Sequence, residues 1–133
     1  MDYFKHREKI IIHVLLIPFI WMVFIPLVIL DIFIEIYHHI SFPVYGFELV
    51  KRSQYIKIDR YKLQYLNLFQ KLNCIYCGYA NGLLHYSLTI AGKTEKYWCG
   101  IKHKADNNFV PPEHHKDFVE FGDQDAFEKK YKQ

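Results

Sequence analysis

From Ile10 to Leu30 the chain reads IIIHVLLIPFIWMVFIPLVIL, twenty-one residues without a formal charge and with His13 as the one polar interruption. Coiled as a helix, a run of that length matches a hydrocarbon core of about 30 Å, which predicts a membrane anchor. A cleaved signal peptide is the competing reading after the basic head of Lys5, Arg7 and Lys9. The run is long for a signal peptide, however, and no small-residue cleavage site follows it. Pro18 and Pro26 each remove a helical hydrogen bond, so a plain transmembrane crossing and a bent, re-entrant helix both stay open. The remaining residues of this 133-residue chain leave room for one small domain. Its 51% hydrophobic and 18% aromatic content exceeds what a water-soluble core of that size needs.

The net charge of +3 conceals a segregation along the chain. Residues 51–104 carry ten Lys/Arg against Asp59 and Glu95 alone, whereas residues 105–133 carry four against seven acids. A basic belt next to an anchor is attracted to anionic headgroups by about 1 kcal/mol per close residue. Nucleic-acid binding would ask instead for a base-reading module, so the expected surface partner is the lipid bilayer and no nucleic acid. The basic head favours a cytoplasmic N-terminus, while the basic belt favours a cytoplasmic C-terminal part. One straight helix cannot satisfy both; a shallow hairpin bent near Pro18 to Pro26 would. The expectation adopted is a cytoplasmic C-terminal part.

Past the anchor, DIFIEIYHHI places Asp31, Glu35 and either His38 or His39 on one helical face, one turn apart. Glu35 and His38 have the spacing by which carboxylate-bridged metal sites take two ligands from one helix. A polar helix end meeting headgroups is the simpler reading, and no second helix of this type is evident. Glu113, His114 and His115 form the other dense acid and histidine cluster, in a loop opened by Pro111 and Pro112. The segment 41–58 reads as an interfacial linker with a short strand over 54–58. Asp59 reads as the N-cap of a helix over 60–72.

Cys74, Cys77, Cys99 and His103 give C-x2-C, twenty-one intervening residues, then C-x3-H. Three thiolates and an imidazole complete a closed tetrahedral set, the form of a structural zinc site, with iron as the alternative metal. Small buried cysteines and a surface histidine are the bland alternative. The set also has a geometric condition. If residues 79–97 formed one helix, Cys77 and Cys99 would stand ~33 Å apart at 1.5 Å per residue. The segment must therefore fold back, and LLHYSLTI-AGK-TEKYW reads as a β-hairpin that would do so. Helical spacing of Tyr79, Leu83, Tyr86, Ile90 and Tyr97 supports the helix instead. In that case a helix over 83–97 with residues 78–82 running back beside it only just closes the site; otherwise Cys99 and His103 must look to His114 and His115 for a metal, leaving Cys74 and Cys77 to each other.

KLNCIYCGYANGL (71–83) and YWCGIKH (97–103), with YIKIDRYKLQYLN before them and FGDQDAF after, together resemble a family of small uncharacterised bacterial membrane-associated proteins. The resemblance covers nearly the whole chain and implies a bacterial source, hence the inner membrane, without implying a reaction. The expected fold is mainly α: an N-terminal transmembrane or re-entrant helix (1–40), an interfacial linker (41–58) and a small Cys/His metal-binding α(+β) domain with an acidic tail (59–133). No Gly-rich phosphate loop, G-x-S-x-G elbow or H-E-x-x-H is present. The leading functional expectation is non-enzymatic: a membrane-anchored zinc module that docks onto, or helps assemble, a larger membrane protein complex. A redox protein using the cysteines, with iron or as a dithiol, is the second reading. A membrane enzyme using Asp31, Glu35, His38 and His39 is the third.

Overall fold

In the computed structural model, which describes residues 6–132, the chain is mainly helical, and among those residues no strand forms. Lys5 of the basic head lies outside the described residues. The elements are α1 (Ile10–Met22), α2 (Phe24–Tyr45), α3 (Leu68–Trp98) and α4 (Gln124–Tyr131), with short 3-10 turns at Arg52–Gln54, Arg60–Lys62 and Glu113–Asp117. Two compact units divide the chain, residues 1–87 and 88–133.

α1 and α2 form one apolar helical run, Ile10–Tyr45, interrupted only at Val23. Pro26 explains the position of the break. A proline ring inside a helix clashes with the carbonyl four residues back, which here is that of Met22, the last residue of α1. Pro18 is absorbed inside α1 without ending it, and the chain does not turn back as a hairpin between the two prolines. At the far end α2 runs through Ser41–Pro43, the start of the segment read as a linker, and stops at Gly46 in the left-handed conformation. The amide of Phe47 donates to the Phe42 carbonyl at 2.9 Å and that of Gly46 to the Pro43 carbonyl at 3.1 Å. With the Phe42 and Phe47 rings 5.6 Å apart, this is a Schellman stop with its hydrophobic contact.

The surface of this run is inverted relative to a soluble amphipathic helix. No residue of α1 is buried. On α2 the residues Ile25, Ile29, Phe33, Ile36, Ile40 and Val44 recur every three or four positions and are all exposed. Asp31, Glu35 and His38 face the protein, whereas His39 is exposed. α3 lies along α2, with Trp21 on Tyr76 (5.2 Å between rings), Phe24 on Tyr79 (5.8 Å) and His38 on Tyr86 (5.7 Å).

Residues 47–67 return along these helices. Residues 55–58 are pressed onto α3, and the expected strand over 54–58 does not form. Gly78 and Gly82 are the reason. A Cβ on Gly82 would stand 2.7 Å from the Tyr55 carbonyl oxygen and 2.8 Å from the Ile56 Cα, and one on Gly78 would stand 2.8 Å from the Lys57 oxygen. Glycines four apart on one helix open a groove for another backbone, here an irregular one. The expected cap at Asp59 opens only a 3-10 turn. α3 starts nine residues later at a capping box, in which the Gln70 amide donates to the Asn67 side-chain oxygen and the Asn67 amide to the Gln70 side-chain oxygen, both at 2.9 Å.

Within residues 88–133, the end of α3 is followed by an isolated parallel bridge between Ile101 and Val119. The Lys102 amide donates to the Val119 carbonyl at 2.8 Å and the Val119 amide to the Gly100 carbonyl at 2.9 Å. This bridge is the only extended pairing among the described residues; the hairpin expected over 83–97 is helix instead. The bridge clips the segment 113–119 to the end of the helix. α4 opens at Asp123, whose carboxylate accepts from the Ala126 amide at 2.9 Å.

Candidate functional site

The four residues expected to share a zinc ion are not brought together. Residues 79–97 are helical throughout, so the fold-back that the set required is missing. At 1.5 Å per residue the rise from Cys77 to Cys99 is ~33 Å, against Zn–S bonds of about 2.3 Å. Cys74 and Cys77 sit one turn apart on α3, Cys99 directly follows the helix, and Cys77 and Cys99 are exposed thiols. His103 lies on Phe109, with 5.3 Å between ring centres, and 5.7 Å from the ring of His115.

The acid and histidine cluster of α2 is drawn into the protein by a residue that sequence reasoning did not single out, Arg52. Its guanidinium grips both carboxylate oxygens of Asp31, one at 2.7 Å, and also donates to Glu35 at 2.9 Å. Asp31 further accepts from the Tyr79 hydroxyl at 2.7 Å. Burial, reinforced by that hydrogen bond, pushes the Tyr79 phenol up to about 12, so it stays a neutral donor. The hydrogen bond to Asp31 likewise holds Arg52 above its already high value. His38 is 1% exposed. The Val50 amide donates to its Nε2 at 2.9 Å, which leaves the proton on Nδ1, 3.0 Å from the Tyr86 oxygen. Glu35, His38 and His39 are close enough to surround an ion. Yet Glu35 is held by Arg52 and both nitrogens of His38 are occupied, so a metal there would have to displace existing partners.

A second cluster, in residues 88–133, has no such competitor. Glu95 stands on the last turn of α3, one turn beyond Gly92, and His114 and His115 come from the 3-10 turn Glu113–Asp117 that Pro112 opens. His114 Nε2 lies 2.7 Å from one Glu95 oxygen, and His115 Nε2 lies 3.1 Å from each oxygen. The ligand atoms of all three lie within 4.8 Å of one another. Among the described residues no Lys or Arg pairs with Glu95. The His114 hydrogen bond, with a further one from His115, holds the Glu95 carboxyl below its usual range against the opposing effect of burial.

The surroundings fix both rings. A Cβ on Gly92 would come within 2.9 Å of the His114 ring, so only glycine lets that ring lie on the helix backbone. His115 is buried and stacks on Phe118 at 4.8 Å and 24°. Its Nδ1 is buried and makes no hydrogen bond. The sequence signal for the histidines was their adjacency. That for Glu95 was weaker: it is one of two acids in residues 51–104.

Comparison of the chain with protein-family models, with curated proteins and with solved structures finds no match.

Proposed function

We propose that this chain is a non-enzymatic, membrane-anchored accessory protein that docks onto or helps assemble a larger complex of the bacterial inner membrane, with its C-terminal part in the cytoplasm. The observation that carries the membrane part is the inverted surface of Ile10–Tyr45. Of its most apolar eighteen-residue stretch only 6% is buried within the protein, while Asp31, Glu35 and His38 turn inward onto Arg52, Val50 and Tyr86. In water such a surface is unfavourable by about 25 cal/mol per Å² of apolar area. In lipid it is the ordinary arrangement, with ionisable groups turned to protein partners. A helical run of this length would reach ~54 Å if straight, so its end beyond Asp31 lies at headgroup depth or the run is tilted.

Support for the accessory role comes from the polar groups of the first unit. Those of Asp31, Glu35, His38 and Tyr79 are engaged in holding α2, α3 and the returning segment together, which leaves the α2 cluster as a structural network rather than a reaction centre. The basic residues 51–104 suit an anionic cytoplasmic leaflet.

Orientation is tested by placing a single cysteine at Lys51 in a variant whose three native cysteines are serine. An impermeant thiol reagent is expected to label it only after the cells are permeabilised; labelling of intact cells contradicts the orientation. Docking is tested by native-size measurement in mild detergent, where a defined second polypeptide at fixed stoichiometry is expected and a lone 16.1 kDa chain contradicts it.

A further inference from the structure

We propose that Glu95, His114 and His115 bind one divalent transition-metal ion, zinc by ligand type, and so clamp the turn 113–117 to the end of α3. This goes beyond the membrane-docking reading and does not depend on it. Two imidazoles and one carboxylate are the ligand set of three-ligand zinc sites and of the two-His, one-carboxylate iron sites. With metal–ligand bonds of 2.0–2.2 Å, neighbouring ligands around a tetrahedral ion stand roughly 3.3–3.6 Å apart. The nitrogen–oxygen separations here, 2.7 to 3.1 Å, are a few tenths shorter. Seating an ion therefore asks that the carboxylate and the two imidazoles, whose ligand atoms all lie within 4.8 Å of one another, move from hydrogen-bond to coordination spacing.

Two further features point the same way. Both Nε2 atoms converge on one carboxylate, so each imidazole already presents the nitrogen that would bind. Gly92 leaves the space that the His114 ring occupies, and Phe118 stacking orients His115 without using either ring nitrogen. The contrast with Glu35, His38 and His39 is direct: those residues are as close to one another, but Arg52 already supplies the positive charge there. The fourth coordination position at Glu95 is left to water or to His103, whose ring is 5.7 Å from that of His115.

The test uses the full chain purified in detergent, stripped with chelator and titrated with zinc ions by calorimetry, with bound metal counted by elemental analysis. One zinc per chain is expected. Glu95→Gln and His114→Ala should each weaken binding on the order of a hundredfold, while serine at all three cysteines should leave affinity and stoichiometry unchanged. The cobalt-loaded wild-type protein should show the weak visible bands of nitrogen and oxygen ligands without a thiolate charge-transfer band, a readout that needs no variant to fold. Far-UV circular dichroism of metal-free Glu95→Gln, an isosteric change, checks that lost binding is not lost structure. A wild-type chain that takes up no zinc, a thiolate band in the cobalt spectrum, or Glu95→Gln and His114→Ala proteins that bind as tightly as wild type would overturn the proposal.

Discussion

Substituting Gly82 by Ala sets two effects of opposite sign against each other. Glycine inside a helix costs about 1 kcal/mol relative to alanine, so on propensity alone the variant should be more stable. Against this, the new Cβ would stand 2.7 Å from the Tyr55 oxygen and 2.8 Å from the Ile56 Cα, where carbon contacts are optimal at about 3.5–4.0 Å. Both atoms are backbone, so no side chain can swing away. The segment at 55–56 must lift by roughly an ångström, and overpacking of this sort costs about 1–3 kcal/mol. That shift also disturbs the Tyr55 ring, packed against Tyr86 at 5.8 Å. The clash wins, by about 1 kcal/mol net. Gly82→Val, with two further carbons in the same place, should be worse. Urea unfolding in a fixed detergent, followed by circular dichroism, measures the difference. A Gly82→Ala protein more stable than wild type by about 1 kcal/mol would show that the returning backbone does not lie on α3, and the packing described for the first unit would be wrong.

Other consequences are equally specific. Arg52→Ala leaves Asp31 and Glu35 facing each other without a cation. Breaking a fully buried pair costs about 3–5 kcal/mol, and because the Arg52 side chain is 38% exposed the expected loss is nearer 2 kcal/mol, a fall in Tm of roughly 6 °C by thermal scanning. Asn67→Ala removes one arm of the capping box and should cost about 1 kcal/mol, seen as faster hydrogen exchange in the first turn of α3. Glu95 has a lowered carboxyl pKa in the folded chain. Its contribution to stability is therefore present above the ordinary glutamate value, near 4.5, and disappears as the pH falls through the lower folded value. In the metal-free protein, hydrogen exchange around the turn 113–117 should quicken over that acid range in wild type and should not do so in Glu95→Gln.

The long apolar helix was legible because its signal is local: an uncharged run of fixed length, with Pro26 just after the break at Val23. The irregular course of 54–58 was not legible, because alternation in QYIKI predicts a strand only if a neighbouring strand supplies partners. Here two glycines on a helix offer a groove instead. Gly78 and Gly82 stood in plain view as G-x-x-x-G, but which backbone they admit is a tertiary fact. The cap at Asp59 failed for a related reason, since Asn67 and Gln70 form a reciprocal pair that a lone aspartate cannot match. In the metal-ligand set, residue type was readable and distance was not. Cysteines twenty-two positions apart are neighbours in a hairpin and strangers on a helix, and the helical spacing of Tyr79, Leu83, Tyr86 and Ile90 is what decides, since Leu83, Tyr86 and Ile90 are almost completely buried. The fallback, in which Cys99 and His103 look to His114 and His115, named two of the three clustered residues and missed Glu95. Glu95 and Arg52 went unremarked because each acts on partners about twenty residues away, and a lone charge in a sequence does not name its partner.

Whether the outward face of Ile10–Tyr45 meets lipid is the question on which the account turns. Trp21 and Trp98 are the two tryptophans of the chain; replacing both by Phe and Phe19 by Trp leaves one fluorophore at an exposed position of α1. In vesicles whose acyl chains carry bromine, the emission of that tryptophan should be strongly quenched and blue-shifted, and iodide in the buffer should have little effect. Emission quenched by iodide and indifferent to brominated lipid would place α1 in water and contradict the membrane anchor.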